Sequence, residues 1–138
     1  LARAAASRQG VEGRVTVTRS EAYAAIDGLA LEKRRFGLVI ADPPAFVRSR
    51  KDLPAGLKGY QKLAKGCATL VKEGGFLAIA CCSHNVPEDE FLRATHLGIR
   101  AAGRSATLLH RAGAAPDHPV HPALPESAYL KFLAFALD

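Results

Sequence analysis

Apolar and polar positions along the chain alternate between strand-like and helix-like patterns. Residues 36–41 (FGLVIA) and 75–80 (GFLAIA) are continuous apolar runs, as expected of strands buried on both faces. Residues 14–19 alternate Val15 and Val17 with Thr16 and Thr18, which predicts a shorter strand. Residues 21–33 space Ala22, Ile26, Leu29 and Ala30 at helical intervals, with Ser20 as the predicted N-cap. Residues 58–71 do the same with Tyr60, Leu63, Ala64, Cys67 and Leu70, and Gly74-Gly75 reads as the stop signal. A helix tail over residues 1–9 ends at Gly10. Pro87 opens a helix that runs to Ala102 and stops at Gly103. Its first turn carries Glu88, Asp89 and Glu90, which suit the positive end of the helix dipole. Residues 105–111 and 128–137 read as the last two strands. Residues 42–57 form a polar loop with three prolines, and residues 112–127 a Pro/His-rich one.

Helices and strands that alternate in this way build an α/β domain, with a mostly parallel sheet and helices on both faces. No helix separates the last two strands, so the C-terminal strand is expected to run antiparallel. No repeat or linker divides residues 1–138, which are read as one domain.

Composition narrows the function classes. A hydrophobic content of 49% supports a real core. Met is absent and the first residue is Leu1, so a fragment or processed product is expected. The net charge of +6, from 19 Lys+Arg against 13 Asp+Glu, favours a polyanionic partner such as nucleic acid. A solvated basic surface is the plainer alternative. With no Trp and three Tyr, a large base-stacking platform is not expected. Three Cys without CxxC spacing fit reduced, cytoplasmic thiols better than disulfides or zinc. No apolar run approaches membrane-spanning length, so no membrane partner is expected.

The two apolar strands end in residues that can do chemistry, and open α/β sheets bind ligands beyond the carboxyl ends of parallel strands. The first runs into Asp42-Pro43-Pro44-Ala45-Phe46. Two prolines fix the backbone, so the turn presents a carboxylate or a carbonyl to a planar base; alternatively, the prolines merely stop the sheet. The second strand runs into Cys81-Cys82-Ser83-His84. A thiolate is a strong nucleophile, and His84 is a candidate base for it. Free Cys is more often a small buried apolar residue, the reading that suits Cys67 and Cys81. Adjacent strand residues face opposite ways, so only one of Cys81 and Cys82 should reach the cleft. Arg48, Arg50, Lys51 and Lys58 lie close to Asp42 in sequence and could neutralise phosphates, or form a solvated loop. His118-Pro119 and His121-Pro122 lack companion ligands and sit in constrained backbone, so no metal site is expected. A substrate-shaping loop suits them better, with Glu126 and Tyr129 helping to close the site.

Three segments taken together resemble one family. They are IADPPAFVRSRKDLPAGLKGYQKLAKGCATLVK, GGFLAIACCSHNVPEDEF and RAGAAPDHPVHPALPESAYLKFLAFAL. They look like the motif IV region, the later strand with its S-C-S thiol motif, and the closing loop and strand of bacterial 23S rRNA (cytosine-C5)-methyltransferases. Those are class I S-adenosylmethionine-dependent enzymes. The resemblance implies a Rossmann-like sheet and RNA, 23S rRNA in particular, as partner. Cys82 matches the central Cys of S-C-S, with Cys81 in place of the first Ser. It would then be the nucleophile that adds at cytosine C6, making C5 able to take a methyl group. Asp42 matches the motif IV acid and would assist at N3, as well as touching the cofactor. Pro43, Pro44 and Phe46 would shape the slot for an unpaired base. Arg48, Arg50, Lys51, Lys58, His118 and His121 would contact the RNA.

The family's Gly-rich cofactor loop, the ribose-binding acid and the N-terminal RNA-binding domain have no counterpart here. The resemblance thus implies the substrate half of the enzyme, inactive alone, with S-adenosylmethionine's main binding motif missing. Glu21 stands where an acid near the adenine would be. A sheet so truncated exposes residues 14–19 as an edge, and a homodimer through it is expected. Two other readings remain: methylation at another base atom, such as an exocyclic nitrogen, and a non-catalytic RNA-binding module on the same fold.

Overall fold

The computed structural model describes residues 1–138, except the side chain of Pro125. Helix α1 (Ala2–Arg8) is followed by a 3-10 turn (Glu12–Arg14) and helix α2 (Ala22–Leu31). Strand β1 (Phe36–Ala41), a 3-10 turn (Arg50–Asp52), helix α3 (Leu53–Leu70) and strand β2 (Val71–Cys81) come next. Helix α4 (Glu88–Ala101), strand β3 (Ala106–Ala112), a 3-10 turn (Pro125–Ser127) and strand β4 (Lys131–Leu137) complete the order.

The sheet order is β1-β2-β4-β3. β1 and β2 are parallel, and β4 runs antiparallel to β2 on one side and β3 on the other. Three strands therefore share a direction and the final strand opposes them, as its helix-free connection predicts. β2 begins earlier than expected. Val71 pairs with Phe36, and Gly74-Gly75 lies inside the strand. Gly74, at φ +67, takes up the register shift between Phe36 and Leu38, a conformation that glycine adopts at little cost.

Helix α3 starts five residues before the predicted point. Ser49 donates its backbone N–H (3.1 Å) and hydroxyl (2.6 Å) to the Asp52 carboxylate, and Pro54 sits in the first turn. This capping box outweighs the three prolines that read as loop. Glu21, not Ser20, caps α2, its carboxylate accepting the Ala24 N–H at 2.9 Å.

Residues 14–19 do not form the expected strand. They leave the 3-10 turn as extended chain, with Val15 44% exposed and without a place in the sheet. Two valines bury too little apolar surface to hold a strand that has no partner. The open edge beside β2 is β1 itself.

The core lies between one sheet face and helices α3 and α4. Ala41, Leu77, Ile79, Cys81, Leu133 and Phe135 pack there with Tyr60, Phe91 and Ile99. α4 crosses α3 at Gly98, where a Cβ would stand 2.3 Å from the Gln61 carbonyl oxygen. The opposite face carries Leu38, Ile40 and Phe76, which are 53%, 67% and 46% exposed. Helices thus cover one face within this chain, where both were expected. The sequence cannot distinguish the two cases, because both sheet faces are apolar.

Candidate active site

β1 and β2 are parallel neighbours, so their carboxyl ends open on the same side. Three contacts lace the turn after β2 to the loop after β1. The Cys82 thiol faces the Pro43 carbonyl at 3.8 Å. The buried Ser83 donates its hydroxyl to the Val47 carbonyl. Asn85 donates from Nδ2 to the Arg48 carbonyl at 3.2 Å. Cys81 is fully buried in the core while Cys82 is half-buried and turns toward the Pro43 carbonyl, as the strand alternation requires.

The loop after β1 lies flat because α3 presents glycines to it. A Cβ at Gly56 would stand 2.1 Å from Val47 Cγ2, and one at Gly59 3.0 Å from the Phe46 ring. Phe46 in turn stacks at 4.7 Å on Tyr60, which meets Phe91 edge-on at 5.1 Å. The diproline turn is therefore mounted on the core. Burial pushes the Tyr60 phenol far above its ordinary range, and the thiol of Cys81 beside it adds to that shift.

A cavity of about 540 Å³ lies on the α2 side of this turn. Tyr23, Ile26 and Val39 give it apolar walls, and Glu21, Asp42, Pro43, Pro44 and Phe46 complete it. Five predicted site residues thus meet in one place. The Asp42 carboxylate is exposed and accepts no hydrogen bond among the described residues. Glu21 is held below the ordinary carboxylate range by the Ala24 and Tyr23 N–H groups at the α2 N-terminus.

The other predicted residues are more dispersed. Arg48, Arg50, Lys51 and Lys58 are exposed along the loop and the start of α3. His118 packs edge-on against Tyr129 at 5.5 Å. His121 accepts the Ala123 N–H through Nδ1. Neither histidine lines the cavity. His84 makes no hydrogen bond to Cys82 and lines a separate cleft with Arg50 and Asn85. Lys131 escaped sequence reasoning. Its ammonium donates to the Ser83 carbonyl (2.8 Å) and the Tyr129 carbonyl (3.0 Å), tying the C-terminal loop to the thiol turn. The available signal was a lone charge opening an otherwise apolar strand.

No protein-family profile matches the chain. It is 33% identical over 113 residues to ribosomal RNA large subunit methyltransferase I of Pseudoalteromonas atlantica, covering 82% of this chain and 29% of that protein. It is 36% identical over 103 residues to a ribosomal RNA large subunit methyltransferase of Deinococcus radiodurans, covering 75% and 25% respectively. Among solved structures, it is similar to a candidate methyltransferase complexed with SAH (TM-score 0.68, 19% identity, 85% of this chain and 30% of that one). It is also similar to a candidate SAM-dependent methyltransferase from Streptococcus mutans (TM-score 0.68, 20% identity, 85% and 29%). These structures bear out the expected Rossmann-like α/β fold. The chain spans less than a third of the length of each of these proteins.

Proposed function

We propose, on the premise that this chain is homologous to a segment of the ribosomal RNA large subunit methyltransferases, that it holds the target base of an S-adenosylmethionine-dependent RNA methyltransferase acting at cytosine C5. The observation that carries this reading is the approach of Cys82 to the diproline turn, 3.8 Å from sulfur to the Pro43 carbonyl. A thiol and a rigid, base-sized turn share the mouth of two parallel strands.

Each residue then has a task. An unpaired cytosine enters beside Pro43 and Pro44, away from competing base pairs. The Cys82 thiolate bonds to C6, and ring electrons move toward N3, which takes a proton from the Asp42 carboxyl. C5 gains the electron density it lacks in the aromatic ring. Once C5 carries the methyl group, N3 returns its proton to Asp42, solvent water takes the C5 proton, the C5–C6 double bond re-forms, and the C6–sulfur bond breaks to release the thiolate. When bound, S-adenosylmethionine supplies an electrophilic methyl group on sulfonium. The cavity on the α2 side of the turn suits the flat purine end of that cofactor, with Glu21 and Asp42 as acceptors for its amine. Arg48, Lys51 and Lys58 offer charge to the RNA backbone, and His118 and His121 shape the loop over it.

The test uses 23S rRNA fragments transcribed with 5-azacytidine, whose C6 a thiolate attacks without prior methyl transfer. Intact mass is expected to show an adduct, with peptide mapping to Cys82 and no adduct in Cys82→Ala. In a methylation assay of a longer parent protein that carries this segment together with a Gly-rich cofactor loop, Cys82→Ala should lose at least about 10³-fold. Retained methylation in that variant would sink the thiol mechanism and favour transfer to an exocyclic nitrogen.

A further inference from the structure

Beyond the thiol turn lies a second, separate cleft of about 350 Å³, lined by Arg50, Leu53, His84, Asn85 and Pro87. We propose that this cleft holds the nucleotide adjacent to the target base. The proposal rests on the RNA reading of the Cys82 site and adds a neighbouring-nucleotide subsite to it.

The placement follows from the chain. His84 and Asn85 are two and three residues from Cys82, so their backbone lies within about 7–11 Å of it. That is the reach of a neighbouring nucleotide, not of a distant one. The cleft's chemistry also suits a nucleotide. Leu53 and Pro87 give apolar walls, His84 an exposed aromatic ring for a base to stack on, and Arg50 a cation for the phosphodiester.

Asn85 supplies hydrogen bonds to the base. Its Nδ2 is committed to the Arg48 carbonyl at 3.2 Å, which fixes the amide orientation. One N–H and the Oδ1 acceptor remain. That donor–acceptor pair can grip an unpaired base in a bidentate contact: adenine through N7 and N6, uracil through O4 and N3–H. The cleft is also built rigidly: the Ser49–Asp52 capping box sets the 3-10 turn that carries Arg50, and the buried Ser83 ties the thiol turn to Val47. Leu53 also lines the groove between α3 and α4, where Lys58 and Arg93 stand with Glu90.

The test titrates the 138-residue chain with cytidine 5′-monophosphate and with the dinucleotides CpA, ApC, CpU and UpC. Affinity and the Asn85 side-chain amide resonances are followed by NMR. At least one dinucleotide is expected to bind about fivefold or more tighter than cytidine 5′-monophosphate and to shift the Asn85 amide. In Asn85→Leu and His84→Ala, that advantage should fall to about one, with the circular dichroism spectrum retained. Dinucleotides that bind no tighter than the monophosphate, or an advantage that survives both variants, would overturn the cleft while leaving the base site standing. Failure of every ligand, the monophosphate included, would overturn the RNA reading itself and this inference with it.

Discussion

Three cysteines place the same thiol in three environments. Cys67 is buried against the core and pushed up to about 11 by desolvation; Cys81 is sealed; Cys82 alone is half-exposed. Iodoacetamide at pH 8 should therefore label one thiol in the folded chain and three in denaturant, with mass spectrometry placing the native label on Cys82. A native label on Cys67 would contradict the core described above. The choice of Cys82 over Cys81 is legible in the sequence, because a strand turns neighbours to opposite faces and only parity is needed. Lys131 is not legible in the same way. Its role depends on two carbonyls, those of Ser83 and Tyr129, brought together by the pairing of Cys81 with Lys131 across β2 and β4. No local pattern encodes that pairing. Replacing Lys131 with Met should free the C-terminal loop, seen as faster amide exchange over residues 113–130, and Arg should restore part of the protection.

Helix α3 couples element geometry to the site through Gly56 and Gly59. Gly56→Ala forces a methyl group into Val47, and overpacking of this kind costs about 1–3 kcal/mol. Chemical denaturation should show that loss, and the displaced loop should move Cys82 off Pro43 and alter its alkylation rate. The N-terminus of α3 could have been read from Ser49, Asp52 and Pro54, but the prolines around it pointed to loop. Strand 14–19 failed for the opposite reason: its alternation was sound, but pairing is a property of two segments. Helix α2 depends on the Glu21 cap. Because Glu21's folded value is depressed, its contribution is fully present above the unfolded carboxylate range. It disappears as pH falls through the lower folded value. The melting-temperature gap between wild type and Glu21→Ala should accordingly be constant near neutrality and close in acid.

At the scale of the whole molecule, the sheet presents one finished face and one bare one. Leu38, Ile40 and Phe76 lie on neighbouring strands of the bare face, and β1 offers its unpaired backbone edge beside them. We expect the chain to pair with a second copy along that edge at high concentration. Ile40→Lys should weaken this association in sedimentation equilibrium without lowering the melting temperature, since the side chain is 67% exposed. A monomer at all concentrations would refute it. Among the described residues, no helix is long and apolar enough to cross a membrane. β4, finally, follows both of its neighbours in the chain yet lies between them. On a ribosome, β2 and β3 emerge first and must wait, unjoined, for the strand that unites them. Lys131 opens that strand, so the thiol turn acquires its clamp only after β1, β2 and β3 have been synthesised.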